Sequence, residues 1–154
     1  MTRTSLAAAL LVGLSGPVLA QDAAAPTGDA AAGEAVFRQC QTCHHVVSPD
    51  GEVLAGREAV KTGPNLYGVA GRVAGSLEDF RYSDLFEAAH EQGIAWDEAN
   101  FVGYVQDPTP WLQEATGDKG RGKMTFKLRN EEDALNVYAY LASLAPAAEA
   151  APTN

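Results

Sequence analysis

Residues 40–44 read Cys40-Gln41-Thr42-Cys43-His44, and the rest of the chain takes its meaning from those positions. A C-x-x-C pair followed at once by histidine is the pattern for covalent attachment of a c-type haem. One helical turn presents both thiols to the two vinyl groups, and the adjoining imidazole reaches the iron from the proximal face. These are the only two cysteines of the chain, so none is left for a structural disulfide elsewhere. Two other uses of the motif compete with haem attachment. A thioredoxin-like dithiol wants a strand before the helix and a βαβ pattern, and neither is visible. A zinc site needs four ligands, and beyond the cysteines and one of the adjacent His44 and His45 only His90 remains.

Upstream of the motif, Arg3 supplies a positive start, Leu6 to Leu14 is an apolar run, and Val18-Leu19-Ala20 has the small-x-small form cut by signal peptidase. Residues 1–20 are therefore expected to be a signal peptide cleaved after Ala20, with the periplasm as destination in a bacterium, where disulfides and exported haem proteins are at home. No later run approaches the roughly 20 apolar residues of a membrane-crossing helix, so a soluble mature protein is expected. The 154 residues allow one domain plus terminal extras. Export removes Arg3 and takes the formal charge from -9 to -10, 10 basic against 20 acidic residues. Such a balance gives no general attraction to phosphate, and nucleic acid is not expected as a partner.

Downstream, residues 48–80 are broken by Pro49-Asp50-Gly51, Gly63-Pro64-Asn65, Gly68, Gly71 and Gly75 and read as loop. A loop of that length in a small domain needs something to wrap around. Helices flank it. Asp29 can cap a helix running to about Gln39 that buries Val36 and Phe37. Ser83 can cap residues 84–91 with Gly93 just beyond, and Asp97 can cap 98–106 before Pro108 stops it. Trp96 and Phe101 suit a hydrophobic staple across that last start. Asn130 caps the final helix, whose first turn carries Glu131, Glu132 and Asp133 at the positive end of its dipole and which Pro146 closes. Ala134, Val137, Tyr138, Leu141 and Leu144 recur at helical spacing and require one buried face. Residues 21–28 and 146–154 are Ala- and Pro-rich and read as a flexible and a disordered tail around a domain at 29–145. No alternating β-branched run is present, and the expected fold is mainly α with long loops.

The iron of such a haem has a sixth position. A soft thioether there raises the potential and keeps small ligands off. Once the signal is removed the one methionine is Met124, in Gly120-Arg121-Gly122-Lys123-Met124-Thr125-Phe126, a stretch too polar and glycine-rich for core filler. His45 would point away from the iron that His44 binds, and His90 sits among Glu87, Glu91 and Gln92. Both are expected at the surface.

From about Gly28 to Ala145 the chain resembles the class I cytochromes c of the cytochrome c2 branch. The residues that carry the likeness occur in order: Gly33 and Phe37, the C-x-x-C-H at 40–44, Lys61-Thr62-Gly63-Pro64-Asn65-Leu66-Tyr67-Gly68-Val69-Ala70-Gly71-Arg72, Phe80-Arg81-Tyr82, Trp96, Tyr104, Lys123-Met124-Thr125-Phe126 and Tyr140-Leu141. The resemblance implies an all-α class I cytochrome c fold, about five short helices and long loops around one haem c held by Cys40 and Cys43, with His44 and Met124 as axial ligands. It also implies that the Pro64 carbonyl accepts the His44 imidazole N–H, that Arg72, Tyr82 and Trp96 hold a buried haem propionate, that Tyr104 lies near the Met124 sulfur, and that Gly33 lets the first helix cross the last against Val137 and Tyr140. Mitochondrial members place a threonine two residues before the ligand methionine, where this chain has Gly122. Phe86 stands near the position of their asparagine in a buried water network. The segments Val46 to Lys61 and Thr109 to Lys119 match the longer loops of the bacterial branch.

A haem closed at both axial positions exchanges one electron through its edge and offers no open iron to a substrate. The expectation is a monomeric periplasmic carrier and not an enzyme, resembling cytochromes c2 that shuttle between a bc1 complex and a photosynthetic reaction centre or a terminal oxidase. Lys119, Arg121, Lys123, Lys127 and Arg129 fall within eleven residues that contain no acid and supply a docking patch for an acidic partner. The competing reading is a peroxidase-like haem enzyme or gas sensor in which Met124 leaves the iron.

Overall fold

Asp29 opens the first helix by accepting the Ala32 N–H on its carboxylate at 3.0 Å, and α1 runs over Ala30–Phe37. In the computed structural model, which describes residues 25–145, it is followed by a 3-10 turn at Cys40–Thr42, strands β1 (Val46–Val47) and β2 (Val53–Ala55), and helices α2 (Asp84–Glu91), α3 (Glu98–Gln106), α4 (Pro108–Thr116) and α5 (Glu131–Ser143). The expected signal peptide at 1–20 and the C-terminal tail at 146–154, with the stop at Pro146, lie outside the described residues. No helix among the described residues is long and apolar enough to cross a membrane.

α1 and α5 form the spine. A Cβ at Gly33 would strike the Asn136 carbonyl and come within 2.9 Å of the Tyr140 Cβ, so the helices cross backbone to backbone there. The close approach is thus to Asn136 and Tyr140, one residue off the expected Val137, which instead lines the central cavity. Phe37 packs on Tyr140 with ring centroids 5.5 Å apart. The one buried face expected of α5 is exceeded: residues 136–141 are all buried, with both α1 and α3 packed against the helix. α3 begins as predicted, with Asp97 accepting the Asn100 N–H at 2.7 Å and Trp96 and Phe101 in edge contact.

Four sequence expectations are corrected. The segment 48–80, read as loop, contains one short strand that pairs with β1 just before it, Val46 opposite Ala55 and Val47 opposite Val53; strands of two and three residues are too short for alternation to show. Pro108 does not only stop α3. It occupies the first turn of α4, where its fixed φ is already helical and no N–H is required, so residues 108–116 are helix where the sequence suggested a longer loop. His45 is buried, with Nδ1 2.6 Å from the Val60 carbonyl oxygen, while His90 is exposed as expected. Residues 25–28, read with the loose tail, are docked: the N–H and hydroxyl of Thr27 donate to the Glu98 carboxylate at 2.8 and 2.9 Å, and Gly28 lies against the α5 backbone.

Candidate haem site

The end of α1, the 3-10 turn and the long 61–82 loop line a cavity of about 520 Å³ together with α3, α5 and the 123–128 segment. The turn is made by the Cys43 and His44 N–H groups donating to the Cys40 carbonyl at 3.1 and 2.9 Å, which sets Cys40, Cys43 and His44 on one wall. Gly63 N–H donates to the Cys43 carbonyl at 2.7 Å and ties the loop to that wall. His44 Nδ1 then lies 3.0 Å from the Pro64 carbonyl oxygen. The loop is braced from within. Asn65 Oδ1 accepts the Val47 and Tyr67 N–H groups, both at 3.1 Å, and its amide donates to the Val47 carbonyl at 2.8 Å. Arg72 donates to the carbonyls of Tyr67 and Asn65 at 2.7 and 3.1 Å.

All nine residues singled out from the sequence, Cys40, Cys43, His44, Pro64, Arg72, Tyr82, Trp96, Tyr104 and Met124, line this single cavity. Arg72 reaches it with two donors already committed to backbone. Phe86 joins them there, its ring 5.5 Å from that of Tyr104 and 5.3 Å from that of Tyr82, so aromatic contacts fill the place where an asparagine network was the comparison. Burial sets the electrostatics. It lowers the His44 pKa, against the raising effect of the Pro64 carbonyl, and so keeps the imidazole neutral and able to bind metal. It pushes the Cys40 thiol up to about 11, with Cys43 adding to the effect, which is the wrong direction for a thioredoxin-type nucleophile. It raises the Tyr104 phenol, with Tyr82 contributing. Among the described residues no three His, Cys, Asp or Glu side chains gather around a common metal position, which leaves the zinc reading without support.

Two features test whether the cavity suits a porphyrin carrying carboxylates. A Cβ at Gly63 would come within 2.6 Å of His44 Nδ1, so only glycine at this position leaves room for the imidazole. Ser83 is nine-tenths buried and lines the cavity, and its Oγ has no hydrogen-bond partner among the described residues. A buried hydroxyl left so costs free energy unless a ligand accepts from it, and a haem carboxylate has the chemistry to do so. Both roles escaped the sequence reading. Gly63 was one letter in a motif, and Ser83 read as a helix cap, yet its side chain makes no capping hydrogen bond. The basic residues are spread unevenly: Lys123 borders the cavity and donates to the Arg81 carbonyl at 2.6 Å, and Lys127 is ion-paired with Asp107 at 2.5 Å. Phe126 is exposed between them.

A small helical domain closed on a cavity with a C-x-x-C-H turn in its wall is the arrangement of a c-type cytochrome. No protein-family model matches the chain. Its relatives include cytochrome c2 of Rhodovulum adriaticum, 60% identical over 119 residues that span 77% of this chain and 94% of the relative. Cytochrome c-550 of Paracoccus versutus is 48% identical over 142 residues, 88% of this chain and 89% of the relative. The crystal structure of cytochrome c2 from Rhodobacter sphaeroides superposes with a TM-score of 0.74 at 57% identity, covering 77% of this chain and 97% of that one. The chain belongs to the class I cytochromes c, in the cytochrome c2 branch, a family of haem-bearing electron carriers.

Proposed function

We propose that this chain is a periplasmic one-electron shuttle whose single haem c is bound through Cys40 and Cys43 and ligated by His44 and Met124. The observation that carries the reading is that the C-x-x-C-H turn and Met124 line the same cavity. When bound, the haem supplies reversible one-electron exchange at its edge, with no bond made to a substrate. The chain's residues do the rest. His44 donates its Nδ1–H in a hydrogen bond to the Pro64 carbonyl, which keeps the proton on Nδ1 and leaves Nε2 as the ligating atom. Met124 would supply its thioether as the second ligand, with Tyr104 lining the same cavity. Phe37, Val137 and Leu141 keep water from the buried face. Arg72, Tyr82, Trp96 and the unpaired Ser83 hydroxyl offer donors to a buried propionate, which would otherwise have to protonate.

Removal of residues 1–20 at the cytoplasmic membrane delivers the protein to the periplasm, where it acts as a monomer. Its partners are membrane redox complexes, a bc1-type donor and a photosynthetic reaction centre or cytochrome oxidase as acceptor. They meet the segment that holds Lys119, Arg121, Lys123, Lys127 and Arg129, and steering by an acidic partner gives short-lived docking. The test is a visible spectrum of protein matured in a periplasm, in both redox states, with carbon monoxide added to the ferrous form. A low-spin spectrum with the methionine-to-ferric-iron charge-transfer band, unchanged by carbon monoxide, is expected. Ready carbon monoxide binding would move the assignment to a gas sensor or peroxidase-like enzyme, and absence of covalent haem would remove the role of Cys40 and Cys43.

A further inference from the structure

Residues 117–130, which carry Met124, contain no helix or strand, and α4 stands directly beside them. Thr109, in the first turn of α4, accepts the Gly122 N–H on its Oγ1 at 3.1 Å. One turn on, Gln113 donates from Nε2 to the Gly120 carbonyl at 2.8 Å. The packing matches the hydrogen bonds: a Cβ at Gly122 would sit 3.2 Å from Thr109 Oγ1 and 3.4 Å from a Leu112 methyl. The Thr109 hydroxyl and Leu112 thus pack closely against the Gly122 backbone. Gly122 is buried and Leu112 fully so, while α4 itself is anchored to α2 by Gln92 donating to the Thr116 carbonyl at 3.0 Å.

The geometry points to Thr109, seconded by Gln113, as the positioning residue that holds Met124 on the iron. Neither residue lines the haem cavity, so any effect they have on ligation passes through the backbone of residues 120–122. The inference rests on Met124 being the axial ligand. Thr109→Val keeps the side-chain shape and removes the acceptor, leaving a buried N–H without a partner. That loss shifts the balance between closed and open segment by about tenfold. An external ligand binds the ferric protein only from the open form, so its apparent affinity scales with the open fraction.

The experiment is an imidazole titration of the ferric holoprotein, with the methionine charge-transfer band as the second readout. Thr109→Val is expected to tighten apparent imidazole binding about tenfold. Thr109→Ser, which restores the acceptor, should stay within about twofold of the parent. Gln113→Met, at a more exposed bond, should give about a twofold to threefold change. Equal affinities in the Val and Ser variants, or a lower denaturation midpoint with unchanged imidazole affinity, would overturn the inference and leave Thr109 as helix packing. Met124→Ala separates the two levels: if it binds imidazole no more tightly than the parent, the ligand assignment itself has failed. If Thr109→Val does not mature, the Gln113→Met titration decides, and an unchanged affinity there counts against the inference.

Discussion

The wall that carries His44 and the wall that carries Met124 are held by different proportions of main-chain and side-chain bonds. On the His44 side the main chain bonds to itself at several points, Gly63 to Cys43, Leu66 to His45, the turn at 40–44 and the hairpin behind it, with the Asn65 and Arg72 side chains bracing the loop from within. On the Met124 side the segment from 117 to 130 is fastened chiefly by side chains of other elements. These are Thr109 and Gln113, joined by Lys123 of the segment itself donating to the Arg81 carbonyl and by main-chain bonds from Leu128 to Val105 at 2.8 Å and, at the segment's start, from Gly117 to Gln113 at 3.0 Å. Main-chain bonds survive most substitutions, whereas a side-chain bond disappears with its residue. The first wall therefore fixes where the haem is attached. The second is open to adjustment residue by residue, which suits the side that sets ligand strength and meets partners.

The largest effect is expected where the rigid wall is made to move. Gly63→Ala places a methyl group against the His44 ring that neither the loop nor the turn can avoid. A loss of about 3 kcal/mol is expected, with His44 displaced and a changed spectrum. Denaturant unfolding of the matured protein measures it, and a native-like midpoint would show that the wall is softer than its hydrogen bonds imply. Met124→Ala should cost less, about 2 kcal/mol for a half-buried side chain. It should retain covalent haem, lose the charge-transfer band and admit carbon monoxide. Loss of covalent haem in that variant would mean that the two walls are not separable.

The difference between the walls also decided how much could be read in advance. The C-x-x-C-H turn is local, and α2, α3 and α5 announce themselves through Ser83, Asp97 and Asn130. Asp97 and Asn130 make their caps over a few residues, and sequence displays such contacts. His45 is expected at the surface because it directly follows His44 and points away from the iron, while the acceptor that buries it, Val60, comes fifteen residues later. α4 was hidden because Pro108 signals an end and a beginning alike, and because its apolar positions, Trp111 and Leu112, are too few for a period to show. The Thr109 to Gly122 bond joins residues thirteen apart and has no local signature. Ser83 shows the opposite failure: the residue type fits a cap, but the hydroxyl points to other business in a buried wall.

Between the walls stands Tyr104, whose phenol is raised by burial first and by Tyr82 second. A raised folded value means that the neutral form is favoured in the native state. Its contribution is complete below the ordinary phenol value of 10.0 and is lost as pH rises above it, because the unfolded chain then releases a proton that the folded one keeps. Stability should fall above pH 10 by up to about 1.4 kcal/mol per unit from this group. Tyr104→Phe should flatten that decline and leave the neutral region unchanged in slope. An identical slope in the variant would show that water reaches the phenol, and so that the cavity is less closed on its Met124 side than its lining suggests.

The smallest effect concerns charge at the adjustable wall. Lys127 and Asp107 form an ion pair in which both side chains are over a third exposed, so breaking it costs about 0.5 kcal/mol. Its value as a probe lies in the sign of what remains. Asp107→Asn adds one unit of net positive charge beside Phe126, and Lys127→Gln removes one. If this segment receives an acidic partner, electron transfer at low ionic strength should rise in the first variant and fall in the second, by about twofold each, and the double variant should return to the parent. The three proteins should converge as salt shortens the screening length to about 10 Å at 0.1 M. Equal rates at low salt in all of them would place the docking footprint elsewhere, on the Lys119 and Arg121 side of Met124 or away from it. Equal shifts that survive high salt would mean that the substitutions act on the Met124 segment itself, because a bond strength does not screen and a long-range field does.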